Sequence, residues 1–498
     1  MSGRSTDIKS WANDRVIESE ITKYLDNGRD FINDADIRAK ISANVVTDGR
    51  KIKDILDRSL AIETLTPDET AALLNVEDPD LLSEMRETAL KIKKKVYDNR
   101  IVTFAPLYMG NLCVNNCMYC GFRCTNEDAY RSVLSLDEIR GETEVLTGKI
   151  GHKRIIAVYG EHPSMDIEYI ISSMKAVYGV NVKTKHGRGN IRRINVNAPP
   201  LSVDELKRLH DTGIGTYQVF QETYHPGTYA YLHPKGTVKG DYRWRLYCMH
   251  RAMEAGIDDV GIGVLFGLYE PKYEVMGLVY HALELEKRYG IGPHTVSFPR
   301  LEPALNTPYT EKPNYKVTDD FFKKLITVIR LAIPYTGMII TARENAKMRT
   351  DALKLGITQT DASTRIGIGS YSSDNSGQEG AKQQFILGDT RSLDELVKEF
   401  SGLGFITSFC TAGYRCGRTG KCIMDLLRSG AEGKFCKLNA VLTFREWLDD
   451  FATPETKAAG ENIIKKEIEE ISRTMPSIYP KFITYYERIL NGERDLYL

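Results

Sequence analysis

The length and charge of the chain exclude several classes of protein. The chain has 498 residues, which is enough for a barrel of roughly 250 residues with flanking segments. Lys plus Arg and Asp plus Glu both number 67, so no net charge favours nucleic acid or an anionic membrane as a partner. No run of about 18 apolar residues occurs, and the N-terminus lacks the apolar core of a signal peptide. We expect a cytoplasmic protein whose partner is a small molecule or another protein.

Three parts are predicted along the chain. Residues 1–98 have a charged, helical pattern without a chemical motif, and we expect them to pack outside a catalytic barrel. Residues 99–400 alternate short apolar runs with amphipathic stretches, which is typical of a parallel βα architecture. Residues 401–498 form an appended C-terminal segment that contains a group of cysteines.

Eight strands are predicted in the middle part, at residues 101–107, 154–159, 194–198, 216–220, 260–266, 295–298, 338–341 and 359–362. Helical patterns lie between and after them: SLDEIRGETEVL, SVDELKRLH, YRWRLYCMHRAMEAG, EVMGLVYHALELEKRYG, DDFFKKLITVIRLA and SLDELVKEF. Several open with Ser followed by acidic residues, as helix N-termini do. Eight β-then-α units predict a closed (β/α)8 barrel of the TIM type.

The nine cysteines are clustered rather than spread through the chain. Four lie in residues 113–124, four lie in residues 410–436, and Cys248 stands alone. An odd number of cysteines without a secretory signal argues against a disulfide framework and for thiols that act as metal ligands. The working hypothesis is therefore two metal sites.

The first cysteine group has the spacing of an iron–sulfur ligand set. Cys113, Cys117 and Cys120 form a CX3CX2C motif after the first predicted strand, where a barrel carries its catalytic loops. Three thiolates on a [4Fe-4S] cluster leave one iron open, and that iron can bind the amino and carboxylate groups of S-adenosylmethionine (SAM). Reduction of SAM then starts radical chemistry. A zinc knuckle is the alternative, but Cys124 does not complete the ligand pairs that structural zinc requires.

Longer motifs resemble the radical SAM tyrosine lyases, the family of the [FeFe]-hydrogenase maturase HydG and of ThiH, and the match is closer to HydG. They span roughly residues 100 to 450 in the expected order: CVNNCMYCGF, YGEHP, IRRINVNAPPL, GTYQVFQETYH, GIDDVGIGVLFGLY, GPHTVSFPRLEPALNTP, FCTAGYR and GRTG. The resemblance implies a complete radical SAM barrel that cleaves the Cα–Cβ bond of L-tyrosine to p-cresol and dehydroglycine. It also implies later formation of carbon monoxide and cyanide for hydrogenase maturation.

The resemblance assigns several residues to SAM. Gly160 and Glu161 stand where the second strand contacts the amino group of SAM, and a carboxylate suits an ammonium. Tyr119 would lie near the adenine, and Gly261 and Gly263 would let the nucleoside approach the backbone. The alternative for Glu161 is an ordinary surface acid after a strand.

A tyrosine site needs a cation for the substrate carboxylate and a polar group near the phenol. Arg300 and Arg343 each follow a predicted strand and are the candidate carboxylate clamps, although either could be a structural ion-pair arginine. Gln221, Glu222 and Tyr224 follow the fourth predicted strand and are candidate polar contacts to substrate or SAM. We predict catalytic roles for Glu222 and for the two arginines.

The second cysteine group departs from the family. HydG binds a second cluster through a CX2CX22C motif, where dehydroglycine becomes carbon monoxide and cyanide on an additional iron. Cys410 and Cys436 stand at the outer positions of this motif, but Gly413 replaces the middle cysteine. Either Cys416 or Cys422 could complete the set, or both could be ordinary thiols. We expect a second iron–sulfur cluster that is retained in a rearranged form.

The resemblance also implies a histidine ligand for the additional iron. The candidates are His294, at the start of the sixth predicted strand, and His281, in the preceding helix. The sequence does not choose between them, although a lone histidine on a helix is more often structural.

Three functions are compatible with the motifs. The favoured one is a HydG-like tyrosine lyase, and the second is a lyase that stops at dehydroglycine or uses another aromatic amino acid. The third is a non-catalytic iron–sulfur scaffold, which the intact CX3CX2C motif and Glu161 disfavour. The expected partners are L-tyrosine, an electron donor and hydrogenase maturation proteins, with neither nucleic acid nor a membrane among them.

Overall fold

The computed structural model describes residues 8–45, 48–373, 377–417, 420–429 and 431–498. Arg418 and Thr419 of the GRTG motif lie outside the described residues. The strands are β1 (Arg100–Gly110), β2 (Arg154–Tyr159), β3 (Val182–Lys183), β4 (Arg188–Gly189), β5 (Arg193–Asn197), β6 (Tyr217–Gln218), β7 (Val260–Gly263), β8 (Thr295–Ser297), β9 (Gly337–Ile340), β10 (Gln359–Asp361) and β11 (Ile406–Ser408).

The α-helices of the N-terminal part and of the first half of the barrel are α1 (Ile8–Arg15), α2 (Ser19–Thr22), α3 (Asp34–Ala43), α4 (Gly49–Leu60), α5 (Pro67–Asn75), α6 (Pro79–Tyr97), α7 (Leu136–Glu144), α8 (Ile167–Tyr178), α9 (Val203–His210), α10 (Pro226–Leu232), α11 (Tyr242–Leu246) and α12 (Cys248–Glu254). The later ones are α13 (Pro271–Tyr289), α14 (Asp319–Ala332), α15 (Ala346–Leu353), α16 (Leu393–Gly402), α17 (Ala412–Arg415), α18 (Gly420–Ser429), α19 (Ala431–Asp450), α20 (Pro454–Thr474) and α21 (Tyr479–Leu490). No helix in the described part of the chain is both long and apolar enough to cross a membrane.

Eight parallel strands close into a barrel, which confirms the predicted (β/α)8 fold. Their order around the barrel is β1, β2, β5, β6, β7, β8, β9 and β10, and β10 pairs back with β1. At the closure, Val102 lies opposite Gln359 and Phe104 lies opposite Asp361. Each of the eight predicted strands is present, although β6 and β7 are each three residues shorter than the predicted runs. Helices cover the outside, so the strands are buried on both faces and read as continuous apolar runs.

The predicted helix starts are also confirmed. Ser135, Ser202 and Ser392 each form a capping box, in which the Ser side chain accepts from a backbone N–H three residues ahead and the Glu at that position bonds back to the Ser backbone. One predicted helix is split into α11 and α12. The Trp244 carbonyl at the break accepts a hydrogen bond of 2.6 Å from Arg251 Nη2, which satisfies the oxygen in place of a helical N–H.

The C-terminal segment contributes a strand that the sequence did not predict. β11 pairs in parallel with the first residues of β1, outside the closed barrel, with Arg100 opposite Ile406 and Val102 opposite Ser408. Three residues are too few to show a periodic pattern, which explains the omission. Because β11 aligns with the start of β1, Cys410, which follows β11, lies at the N-terminal end of the barrel. The boundary at residue 400 stays a prediction.

A buried ion network holds the C-terminal helices to the barrel. Lys437 Nζ lies 2.9 Å from Asp98 Oδ2, 2.9 Å from Glu467 Oε2 and 2.8 Å from Glu470 Oε2. Lys437 is 4% exposed and Glu467 is 2% exposed. Burial lowers the pKa of Lys437, but the carboxylates of Glu467 and Asp98 outweigh it and raise this pKa. The network therefore joins α19, α20 and the turn between α6 and β1.

Replacement of Lys437 by Met should destabilise the fold, because Glu467 and Asp98 would lose their buried cation. We expect the free energy of unfolding to fall by about 3–5 kcal/mol, measured by chemical denaturation. Lys421→Met is the matched control, since Lys421 and Asp425 form an exposed pair at 3.0 Å that should be worth less than about 1 kcal/mol. Equal effects of the two substitutions would contradict the buried network.

Candidate functional site

A cavity of about 230 Å³ lies at the C-terminal ends of the barrel strands, where such barrels carry their chemistry. We call it the upper cavity, and its wall includes Cys113, Cys117, Cys120, Glu161, Glu222 and Arg343. Six residues for which the sequence predicted three separate roles therefore line the same cavity.

The loop that carries the three cysteines is held by a single arginine. The Arg131 guanidinium donates to the backbone carbonyls of Asn111, Phe122, Arg123 and Asn126 at 2.6 to 3.2 Å. These bonds close the loop on itself around the cysteines. The Arg131 bonds therefore help to hold the thiols in place for a metal cluster.

Hydrogen-bond donors approach two of the three sulfur atoms. Phe122 N and Gln384 Nε2 each lie 3.4 Å from Cys120 Sγ, and Asn115 Nδ2 lies 3.7 Å from Cys113 Sγ. Donors of this kind stabilise cluster-bound thiolates and tune their potential. Gln384 lies in the loop after β10, the strand that pairs with β1, so the loops after both strands at the barrel closure shape the cluster site.

Burial raises the pKa of Cys113 to about 11 and raises the pKa of Cys117 further, although the Lys239 charge opposes the rise at Cys117. These thiols are therefore not reactive on their own and need a metal to become thiolates. Among the described residues, no three His, Cys, Asp or Glu side chains converge closely enough to hold one metal ion. In a cubane each thiolate binds a different iron atom, so its three ligands are spaced more widely than the ligands of a single ion.

Glu161 has the features of a receptor for an ammonium group. It is 4% exposed, its Oε2 accepts from Asn115 Nδ2 at 2.6 Å, and its Oε1 is buried without a hydrogen-bond partner. Burial raises its pKa, while the bond from Asn115 and the charges of Arg245, Arg15 and Lys239 oppose the rise. A buried carboxylate oxygen on a cavity wall needs a donor, and the amino group of SAM is a suitable one. The site therefore fits the cluster and SAM together.

Gly160 is required by close packing beside Glu161. A Cβ atom at this position would lie 2.2 Å from the Leu112 carbonyl oxygen. Only glycine lets the end of β2 approach the cysteine loop this closely. In the same region, Val114 N donates to the Glu161 carbonyl at 2.8 Å, which links the two segments through the backbone.

Tyr119 lies on the upper cavity wall in an apolar cluster with Leu232, Leu265 and Leu268. Its hydroxyl lies 2.8 Å from His233 Nε2. An aromatic ring held in this way suits contact with a flat base. The contact of Tyr119 with the adenine of SAM stays a prediction.

Gly261 and Gly263 lie inside β7 and do not line the upper cavity. A Cβ at Gly261 would lie 2.8 Å from the Gln218 side chain, and one at Gly263 would lie 2.6 Å from the Phe220 ring. The two glycines make room for Gln218 and Phe220, which do line the cavity. Their predicted contact with the nucleoside stays a prediction, and the structure gives them a separate packing role.

Glu222 is the centre of a cationic network that the sequence analysis missed. Its Oε1 lies 2.7 Å from Lys239 Nζ and 3.4 Å from Arg245 Nη2. Burial would raise its pKa, but these two cations outweigh burial and lower the pKa of Glu222 to about 2. Glu222 has a φ of 71°, a left-handed conformation that is costly for Glu and often marks functional sites. The cations follow Glu222 in KGDYRWR, and their place after the same barrel strand was the available signal.

The two predicted carboxylate clamps differ in their surroundings. Arg343 lines the upper cavity, its guanidinium carbon lies 3.2 Å from the centre of the Phe385 ring, and it has no ion pair within the described residues. Arg300 lies off the cavity wall, donates through Nε and Nη2 to Glu344, and lies 2.8 Å from Asp319 Oδ1. The contacts of Arg300 are those of a structural ion-pair arginine, so its predicted clamp role stays a prediction without support from the structure.

Two other predicted contacts lie behind the barrel wall. Tyr224 is buried away from the upper cavity, and its hydroxyl lies 2.8 Å from His281 Nδ1. The His281 ring lies 5.1 Å from the Phe31 ring, in the packing of α13 against the N-terminal helices. Gln221 is buried and also lies off the cavity wall. His281 does not line the cavity that contains Cys410 and Cys436, and its predicted role as an iron ligand stays a prediction without support from the structure.

A second cavity, of about 80 Å³, lies at the opposite end of the barrel, and we call it the lower cavity. Cys410, Gly413, Cys436 and His294 line it, and His294 Nδ1 is buried without a hydrogen-bond partner. His294 is therefore the histidine that lies beside the C-terminal cysteines. The other lining residues include Arg100, Arg154, Asp259 and Tyr414.

Comparisons with known proteins agree with this geometry. The model of the Radical SAM superfamily matches residues 107–279, and that of the Biotin and Thiamin Synthesis associated domain matches residues 297–406. A crystal structure of HydG, a maturase of the [FeFe]-hydrogenase, is 46% identical, covers 94% of this chain and 100% of its own, and has a TM-score of 0.89. HydG from Carboxydothermus hydrogenoformans is 35% identical, with coverages of 95% and 99% and a TM-score of 0.76.

The 2-iminoacetate synthase of Salmonella typhimurium is 28% identical over 371 residues, which are 74% of this chain and 91% of that enzyme. The whole length of HydG and most of the length of this synthase are thus represented in the chain. The chain is a radical SAM enzyme with a [4Fe-4S] cluster and SAM as cofactors, and it belongs to the family of the [FeFe]-hydrogenase maturase HydG.

Proposed function

We propose that this enzyme is a tyrosine lyase, which cleaves the Cα–Cβ bond of L-tyrosine to p-cresol and dehydroglycine. The observation that carries the proposal is Arg343, an arginine without an ion pair in the described residues, on the wall that also holds Glu161 and the three cysteines. A cation that no carboxylate pairs with, on the wall of a mostly apolar cavity, is the feature that an amino-acid carboxylate requires. The names of the relatives, a hydrogenase maturase and a 2-iminoacetate synthase, support this substrate class.

The cysteine end of the upper cavity holds the cofactors in this proposal. Cys113, Cys117 and Cys120 would hold the cluster, and the unpartnered Oε1 of Glu161 would accept from the ammonium group of SAM. The chemistry that the cluster and SAM would supply when bound is the 5′-deoxyadenosyl radical that starts the reaction. Asn115 fixes the Glu161 carboxylate through its other oxygen, which leaves Oε1 directed to the ligand.

Glu222 acts as an ionised acceptor rather than as a proton donor. With a pKa of about 2 it carries no proton near neutral pH, so it cannot serve as a general acid there. Its charge holds Lys239 and Arg245 at the cavity wall, where both can meet an anionic group of SAM or substrate. The predicted catalytic role of Glu222 becomes a binding and positioning role.

The substrate end of the cavity is apolar apart from Arg343, Asp361 and a few hydroxyl and amide groups. Phe104, Ile156 and Ile339 form a buried apolar cluster on its wall, with Val158 packed against them. Walls of this kind exclude water and protect a radical from side reactions. Arg343 stacks on Phe385, which holds the plane of the guanidinium and favours a two-point contact with the substrate carboxylate.

The direct test is turnover under anaerobic conditions with SAM, dithionite and L-tyrosine. We expect p-cresol and 5′-deoxyadenosine, measured by chromatography. L-phenylalanine should be at least roughly 100-fold poorer, because a site that hydrogen-bonds a phenol rejects an analogue that lacks it. If SAM is cleaved without p-cresol, and another amino acid is consumed instead, the assigned substrate is wrong.

Separate substitutions of Arg343 and Arg300 test which arginine binds the substrate carboxylate. Arg343→Met should raise KM for tyrosine by about 10- to 100-fold, since a charged hydrogen bond contributes about 1.5–3 kcal/mol and about 1.4 kcal/mol is tenfold. SAM binding should change little, and Arg343→Lys should recover part of the loss. Arg300→Met is the control: it should lower stability through Glu344 and leave KM for tyrosine nearly unchanged. The assignment of Arg343 as the clamp would be refuted if Arg300→Met raised KM for tyrosine and Arg343→Met did not.

A further inference from the structure

The lower cavity brings only two of the chain's nine cysteines together. Cys410 and Cys436 line it, and Gly413 lines it at the position of the middle cysteine in the CX2CX22C motif. All nine cysteines lie among the described residues, so no other thiol is left to consider. His294 adds one imidazole. Asp259, which also lines the cavity, adds one carboxylate. Two thiolates, one imidazole and one carboxylate match neither the three-cysteine set that holds a cubane with an open iron nor the set of two cysteines and two histidines of a Rieske centre.

Cys416 faces away from the lower cavity. It is exposed at the end of α17 and is not part of the cavity wall. Its neighbour Arg415 forms an ion pair with Asp495, 2.5 Å from Nη1 to Oδ1, and its guanidinium lies 4.2 Å from the Tyr497 ring centre. These contacts hold the turn against the C-terminal residues. A movement of Cys416 into the cavity would break them.

Cys422 lies on the face of α18 that is turned away from the lower cavity. Ile423 and Leu427, one turn apart, line the lower cavity and are buried, whereas Cys422 is exposed. Successive residues of an α-helix are about 100° apart, so bringing Cys422 to the cavity means turning α18 by about that angle. The turn would expose Ile423, Met424 and Leu427, which are now buried. The helix packing therefore opposes recruitment of Cys422.

The backbone at Gly413 is fixed by the next residue. The Tyr414 hydroxyl donates to Asp259 Oδ2 at 2.7 Å, and the Arg193 guanidinium lies 3.8 Å from the Tyr414 ring centre. Both partners belong to the barrel, so Gly413 remains on the cavity wall without a side chain to offer. A thiolate restored at this one position would complete a three-cysteine set with Cys410 and Cys436.

We propose that this enzyme assembles no iron–sulfur cubane in its C-terminal segment, and that Gly413 is the reason. The expectation of a rearranged cluster with Cys416 or Cys422 is not supported by their positions. One chemical consequence follows, and it rests on the proposed function. Without a C-terminal cluster, dehydroglycine leaves the protein as a product. Its imine carbon then adds water and releases ammonia, so that HN=CH–COO⁻ and H2O give OHC–COO⁻ and NH3 without any redox step.

The test compares three proteins in which Cys113, Cys117 and Cys120 are all replaced by Ala, so that only a C-terminal cluster can bind iron. One protein keeps Gly413, one has Gly413→Cys, and Gly413→Ser is the control for an added side chain. After anaerobic reconstitution, iron and sulfide are counted and the reduced proteins are examined by EPR, with circular dichroism to check the fold. We expect almost no iron with Gly413 or Gly413→Ser and about four iron atoms per chain with Gly413→Cys.

Four iron atoms and a cubane EPR signal with Gly413 present would overturn the proposal. Equal iron contents with Gly413 and Gly413→Cys would also overturn it, since the missing thiolate would then not be the cause. Neither result depends on lyase activity. In the unmodified enzyme we expect glyoxylate in the same amount as p-cresol, without carbon monoxide. Absence of p-cresol would refute the proposed function alone, whereas p-cresol with an equal amount of carbon monoxide would refute this inference alone.

Discussion

The side chain of Asn115 joins the parts of the upper cavity that must act together. Its Nδ2 donates to Glu161 Oε2 at 2.6 Å and lies 3.7 Å from Cys113 Sγ, while its Oδ1 accepts from Lys239 N at 2.9 Å. One amide thus fixes a cluster ligand, the acceptor for the SAM ammonium and the segment that carries Lys239. Because Asn115 lies between Cys113 and Cys117, the geometry of the thiols and that of the carboxylate are set by the same group.

The site also requires cations close to its two buried carboxylates. Glu161 and Glu222 are both shielded from solvent, and each is tolerated because cations lie close by, chiefly Lys239 and Arg245. Arg343 differs from these cations, since it stacks on an aromatic ring and keeps its charge for a ligand. The low dielectric constant of a protein interior makes each of these interactions stronger than it would be in water.

The parts of the molecule that follow local rules were predictable from the sequence. The barrel follows from eight apolar runs with capped helices between them, and the cysteine spacing predicts the cluster. Long-range packing was not predictable: Arg300 and Arg343 both follow strands, and only the fold shows that Glu344 and Asp319 occupy the first of them. His281 and His294 likewise differ only in what the fold places beside them. The three-residue β11 was too short for any pattern.

EPR of the reduced cluster with and without SAM can show whether Asn115 couples the cluster loop to the SAM site. Asn115→Leu is compared with Asn116→Leu, a neighbouring substitution of the same type, and the iron content of each protein is measured. We expect four iron atoms in both, a SAM-dependent change of the signal in Asn116→Leu, and a loss of that change in Asn115→Leu at the same SAM concentration. An unaltered SAM response in Asn115→Leu would contradict this coupling.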